Sequence, residues 1–231
     1  MAVETRVQRR MTATREGLVN AALVLFARQG IYDTTVEDIT EAADVGKGTF
    51  YQHFPSKTAI IRHLLHDGFN DLLAQCRREV AAAPTATERV QRLLLAQFQF
   101  FDKRRDLLIL FHQVRGWLKL YTDERRTLQK EYERYIHFLA SELRKALDGK
   151  RWSRATLKQM ACAMAGFVTG YLSYQVIISG AQQDGAGALD IPVRMFLEGV
   201  VGDTGRGVVY GEPMSSARGG GVKERLDPGR S

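Results

Sequence analysis

Between positions 47 and 53 the chain reads Lys-Gly-Thr-Phe-Tyr-Gln-His. Lys47, Thr49, Gln52 and His53 crowd a cation and three polar hydrogen-bonding side chains into about two helical turns. Phe50 and Phe54, four positions apart, would share one face of such a helix and pin it to a core. The polar side chains are then left for the opposite side, and Gly48 allows close backbone approach. A short helix with this equipment suits the DNA major groove, where a Gln52 amide can pair bidentately with adenine. Upstream, Thr35 can cap a second short helix, with Asp38 three residues on completing a capping-box-like pair. Val36, Ile39 and Ala43 form its buried stripe, and Asp44-Val45-Gly46 breaks it. Two short helices joined by a three-residue break have helix-turn-helix geometry, expected over about 36–55.

The elements that must position this unit are also helical. Strand-like alternation is almost absent, so the expected fold is all-α, with about nine helices. Leu18, Ala22, Leu25 and Phe26 fall on one face of a helix expected over 12–29, and Gly30 supplies its C-cap. Arg6, Arg9 and Arg10 precede that helix as a basic arm. Pro55 stops the second helix of the motif, and Ser56 caps a long helix that Pro84 ends. Further helices are expected over 87–104, within 105–120 as one or two pieces, and over 123–147, 154–179 and 191–201. Residues 203–231 hold seven glycines and two prolines with few large apolar side chains, the composition of a disordered tail.

The stretch from Arg15 to Lys57 carries LVNAALVLFARQG, then TTVEDI, then GKGTFYQHFPSK. In that order these blocks resemble the TetR/AcrR family of regulators. The resemblance implies a phosphate-contacting cap at Thr35 and a recognition helix opened by Lys47, Gly48 and Thr49. It also implies a phosphate contact from the Tyr51 hydroxyl, a family histidine position at His53, and a backbone-clamping lysine at Lys57. Two positions depart from the pattern, Asp44 where Gly is common and Gly46 where Ser or Thr is common. Asp tolerates a left-handed turn and Gly is a weaker cap, so the motif survives both.

The family implies a domain layout of 1–57 for arm and DNA-binding head, 58–202 for ligand binding and dimerisation, and 203–231 for the tail. It further implies a homodimer through the last two helices, a palindromic operator of double-stranded DNA, and a small-molecule effector that releases the operator. The expected function is a ligand-responsive repressor, with an activator or an acyl-chain sensor as the alternatives within the class. Ala163, Gly166, Gly170, Ser173 and Ile177 recur at helical steps and supply a close-packing face for the dimer. The pocket region offers Phe98, Phe101, Phe111, Trp117, Tyr121, Tyr135, Phe138, Phe167 and Tyr171, with His112 and Gln113 as polar contacts. Such a lining suits an apolar or aromatic effector.

Bulk properties narrow the field without deciding it. The net charge is +7, yet residues 1–58 hold seven bases and seven acids, so charge alone does not support a polyanion partner there. Cys76 and Cys162 lack metal-type spacing and are expected as buried small apolar side chains. His63 and His66 are three apart but lack a third ligand in sequence, so no metal and no cofactor is expected. No nucleophile elbow, phosphate loop or metal triad marks an enzyme. The N-terminus shows no secretory pattern, and a cytoplasmic location is expected. Residues 159–183 carry no charge, a length that would span a bilayer. Their small and polar residues favour a buried helix interface, leaving a membrane or scaffold protein as the competing class.

Overall fold

A computed structural model describes residues 5–120, 122–147, 152–179 and 189–201. The described residues form nine α-helices and no strand. They are α1 (Arg6–Gln29), α2 (Val36–Ala42), α3 (Lys47–His53), α4 (Lys57–Ala81), α5 (Ala86–Lys103), α6 (Arg105–Leu120), α7 (Thr122–Ala146), α8 (Arg154–Ser173) and α9 (Asp190–Val201). A π-helical turn, Tyr174–Ile178, continues α8. Tyr121 and the expected tail at 203–231 lie outside the described residues, as does the side chain of Trp117.

Local chemistry accounts for most boundaries. Thr85, Ser56 and Ser153 cap α5, α4 and α8 by accepting from Glu88, Ala59 and Thr156 N–H. Gly30 ends α1 at a φ of 96°, a region that favours glycine. One boundary differs from expectation. Helix α1 begins at Arg6 because Thr5 and Gln8 close a full capping box, so Arg6, Arg9 and Arg10 are helical and form no separate arm.

A single hydrophobic cluster runs from Leu18 and Phe26 in α1, through Phe50 in α3 and most of α4, to Leu172 in α8 and Val193 in α9. Helix α4 threads it, burying Ile60, Ile61, Leu64, Leu65, Phe69, Leu72 and Leu73. At Gly68 the helix meets α6 so closely that an added Cβ would lie 3.2 Å from both Leu107 methyls. Helix α8 is divided by face. Leu157, Ala161, Met164, Ala165, Val168 and Leu172 are buried, whereas Cys162, Ala163, Gly166 and Gly170 are exposed. Cys162 therefore departs from the expected buried thiol, because it sits on the small-residue face rather than the core face. Cys76 is buried, and desolvation pushes its thiol pKa up to about 12. Arg154–Ile178 is long and apolar enough to cross a membrane, but its core face is committed to packing against α5 and α7.

Candidate nucleic-acid interface

Helix α2 is organised by its cap. Asp38 N–H donates to Thr35 Oγ1 at 3.1 Å, and Thr35 N–H donates to Asp38 Oδ2 at 2.7 Å. The Thr35 amide, then its hydroxyl, hold the Asp38 carboxyl below the usual carboxylate range. Ile39 buries the apolar stripe. The break that follows turns on Asp44, whose φ of 51° is left-handed, the conformation the sequence required of it. Gly46 then begins α3 at an ordinary φ of −74°.

Helix α3 presents two distinct faces. Phe50 is 0% exposed and Phe54 3%, with ring centroids 6.0 Å apart. Tyr51, 48% exposed, makes a T-shaped contact with Phe50 at 5.4 Å. Lys47, Gly48 and Gln52 are exposed, while Thr49 and His53 are half-buried. Lys47 is not an idle cation: its Nζ pairs with Glu37 of α2. That hydrogen bond depresses the Glu37 pKa and raises the Lys47 pKa. A polyanion approaching this surface therefore competes with one exposed carboxylate for the ammonium.

Lys57, the expected phosphate clamp, is half-buried and engages the chain itself. Its Nζ donates to the Ile31 carbonyl at 2.7 Å and the Thr34 carbonyl at 2.8 Å. Burial lowers its pKa. Two of three ammonium hydrogens thus hold the α1–α2 connection, leaving one for any other acceptor. Behind the interface, Arg15 lies 4.9 Å over the Phe54 ring and donates from Nη1 to His63 Nε2 at 3.0 Å. The same nitrogen is 3.2 Å from Asp67 Oδ2. His66 Nδ1 meets Glu131 of α7 at 2.8 Å. These histidines join helices by ordinary polar contacts.

The expected pocket residues divide three ways. Phe98, Phe101, Phe111 and Tyr135 are buried, with Phe111 stacked on Phe69 at 4.6 Å and Phe101 edge-on to Phe111 at 5.5 Å. Phe138, Phe167 and Tyr171 are half-buried; Phe138 lies under Arg77, and Phe167 and Tyr171 meet Phe98 edge-on. His112 meets Ser173 of α8, and Gln113 bonds to Phe26 and Ile31 at the end of α1. Helical periodicity gives no sign of this Gln113 partner, 82 positions distant. Of the expected pairing face, Ala163, Gly166, Gly170 and Ile177 are exposed, whereas Ser173 is half-buried and engaged by His112.

Comparison with known proteins finds relatives of the head by sequence and of the whole fold by structure. The sequence pattern described as bacterial regulatory proteins, tetR family, matches residues 18–64, from mid-α1 through the first turns of α4. The matched stretch is the helix-turn-helix head, and there the chain is similar to the TetR family. The HTH-type transcriptional repressor KstR2 of Mycobacterium tuberculosis is 30% identical over 106 residues, covering 46% of this chain and 53% of the relative. The HTH-type transcriptional regulator TcmR of Streptomyces glaucescens is 47% identical over 53 residues, covering 23% of this chain and 24% of the relative. The chain spans about half the length of the KstR2 relatives it matches. The fold extends further than the sequence identity. A TetR-family regulator of Syntrophomonas wolfei superposes with a TM-score of 0.70 at 18% identity, covering 86% of this chain and 99% of the other. FadR from Bacillus subtilis, solved in complex with stearoyl-CoA, gives 0.67 at 18% identity, covering 80% and 97%. The TetR fold thus includes the body of the molecule as well as its head.

The TetR-family head contains a pH-sensitive joint. Burial lowers the His63 pKa below 6.5, so folding selects the neutral ring, which accepts from Arg15. This contribution is complete above the unfolded value and is lost as pH falls toward the folded one. Unfolding free energy measured in urea should therefore fall between pH 7.5 and 5, and His63→Gln should show a shallower fall. An unchanged pH dependence in the variant would contradict this assignment.

Proposed function

We propose that the chain is a transcription regulator that binds a palindromic DNA operator as a homodimer, acting as a ligand-responsive repressor inside the cell. The carrying observation is α3. A helix of seven residues is locked to the core by Phe50 while Lys47, Gly48, Tyr51 and Gln52 stay exposed on the same element. Gln52 reads a base edge, Tyr51 and Thr35 contact phosphates, Lys47 and Thr49 flank the approach, and His53 closes it. Residues 1–57 serve as the reading head, and 58–202 as the body that pairs and senses. Repressor relatives such as KstR2 support this reading.

Pairing is assigned to the outer faces of α8 and α9. Tyr174 is 60% exposed and Ile178 71%, and Ile191 and Met195 of α9 are also exposed large apolar side chains. Tyr174 and Ile178 follow Gly166 and Gly170 at four-residue steps, and two such faces can bury one another across a two-fold axis. Selection from random duplexes by the full chain should enrich an inverted repeat. Gln52→Ala should lose about 1–3 kcal/mol at one base position and relax preference there. No enriched repeat, or an unchanged base preference in the variant, would overturn the reading.

The effector is assigned to the apolar class, with acyl chains first. Aromatic side chains of α4 to α8 form two ring clusters, one around Phe69, Phe101 and Phe111 and one around Phe98, and FadR, similar in fold, was solved with stearoyl-CoA. Stearoyl-CoA should raise the melting temperature and release the enriched duplex, by about 2.7 kcal/mol of added stability at one hundred times its Kd. A melting temperature and DNA affinity that both stay constant would exclude this ligand class.

A further inference from the structure

Helix α6 is fastened, at two adjacent positions, to two different parts of the molecule. Gln113 reaches the head. Its Nε2 donates to the Phe26 carbonyl at 2.8 Å, and its Oε1 accepts from the Ile31 N–H at 2.9 Å. Both groups belong to the end of α1, where the Phe26 carbonyl also accepts from Gly30 N–H at 3.1 Å. Ile31 is 1% exposed, so its amide has no access to solvent as a substitute partner. Lys57 of α4 grips the same segment through the Ile31 and Thr34 carbonyls. The Thr34 hydroxyl turns back to the Gly30 carbonyl at 2.7 Å. The next residue is Thr35, the cap of α2, so the placement of the whole helix-turn-helix follows from this segment.

His112, one position earlier, reaches α8. Its Nε2 meets Ser173 Oγ and lies 3.4 Å from the Thr169 carbonyl, while Ser173 Oγ donates to that carbonyl at 2.5 Å. The arrangement that satisfies each group has neutral His112 donating from Nε2 to the serine oxygen. Burial, aided by the nearby Arg115, favours that neutral ring. Arg115 adds a bond from Nη2 to Thr169 Oγ1 at 3.3 Å. Immediately after Ser173 the helix passes into its π turn, closed by Ser179 N–H on the Tyr174 carbonyl at 2.9 Å. Such turns are places where a helix changes register at small cost.

We propose that His112 and Gln113 form a two-ended brace through which α8 sets the orientation of the DNA-reading head, with Gln113 as its positioning residue. A rigid helix links the two ends, so a displacement of α8 at Ser173 is delivered to the Phe26 and Ile31 backbone. The consequence at DNA rests on the operator-binding reading above; the mechanical coupling does not.

The test uses the full chain in two arms. Amide hydrogen exchange compares the native protein with Gln113→Leu, Ser173→Ala and the double variant. Gln113→Leu should speed exchange across residues 30–42 by about tenfold or more, with α5 and α7 unchanged. Ser173→Ala should speed the same segment less, and should add nothing once Gln113 is gone. If Gln113→Leu does not fold, Gln113→Glu, which keeps the acceptor for Ile31, takes its place. Unchanged exchange over 30–42, or a Ser173→Ala effect that persists in full in the double variant, would overturn the brace. The second arm measures affinity for the enriched duplex and for one with a base pair added between its half-sites. Gln113→Leu should narrow the difference between the two spacings. Equal loss at both would make Gln113 a plain stabiliser and reject its positioning role. A library that yields no enriched duplex would instead reject the DNA reading, leaving the exchange arm to judge the brace alone.

Discussion

A seven-residue helix has no stability of its own in water, and everything in this molecule that bears on recognition depends on how α3 is held. The decisive contact is Phe50, fully enclosed among the side chains of the head and of α4. With that ring fixed, the rotation of α3 about its axis is set, and Tyr51, Gln52 and Gly48 are presented outward. The approach angle is set elsewhere, by the segment that joins α1 to α2. That segment is held by Lys57 on one side and Gln113 on the other, so its conformation is decided by two helices outside the reading unit.

The body extends the same logic. Helix α8 has a core face of Leu, Met, Val and Ala and an outer face of Gly, Ala and Cys162. A membrane-spanning reading of Arg154–Ile178 explains its length and composition, but not the division into one packed and one small-residue face. A helix pressed into a core on one side and against a second copy on the other explains both. Two aromatic clusters, one joining Phe69 to Phe111 and one joining Phe98 to Phe167 and Tyr171, make the interior cohesive, so a ligand entering it would shift rings carried by α6 or α8. In the proposed function sensing and pairing share helices, and α6 packs against α1 of the head.

The sequence made the skeleton readable because its boundaries rest on local chemistry. Gly30, Asp44, Pro55 with Ser56, and Pro84 mark breaks through backbone preference and a cap whose partner lies within a few residues. The outward and inward faces of α3 were legible for the same reason, from the four-residue spacing of Phe50 and Phe54. The illegible features were long-range. Lys57 bonds to carbonyls 26 and 23 positions away, and Gln113 bonds to groups 82 and 87 away. Periodicity placed Ser173 on the pairing face, but a single hydroxyl oriented toward His112 leaves no trace in a hydrophobic pattern. The early start of α1 was hidden although Thr5 and Gln8 stand in capping register, because Arg6, Arg9 and Arg10 suggested an arm.

Hydroxyl-radical footprinting of the enriched duplex, with the bound stoichiometry measured by mass, tests the central claim most directly. The account predicts two chains per duplex and two symmetry-related protected patches, their centres about one helical turn, roughly 34–36 Å, or a multiple of it apart. One chain per duplex, or protection spread evenly without regard to sequence, would contradict it.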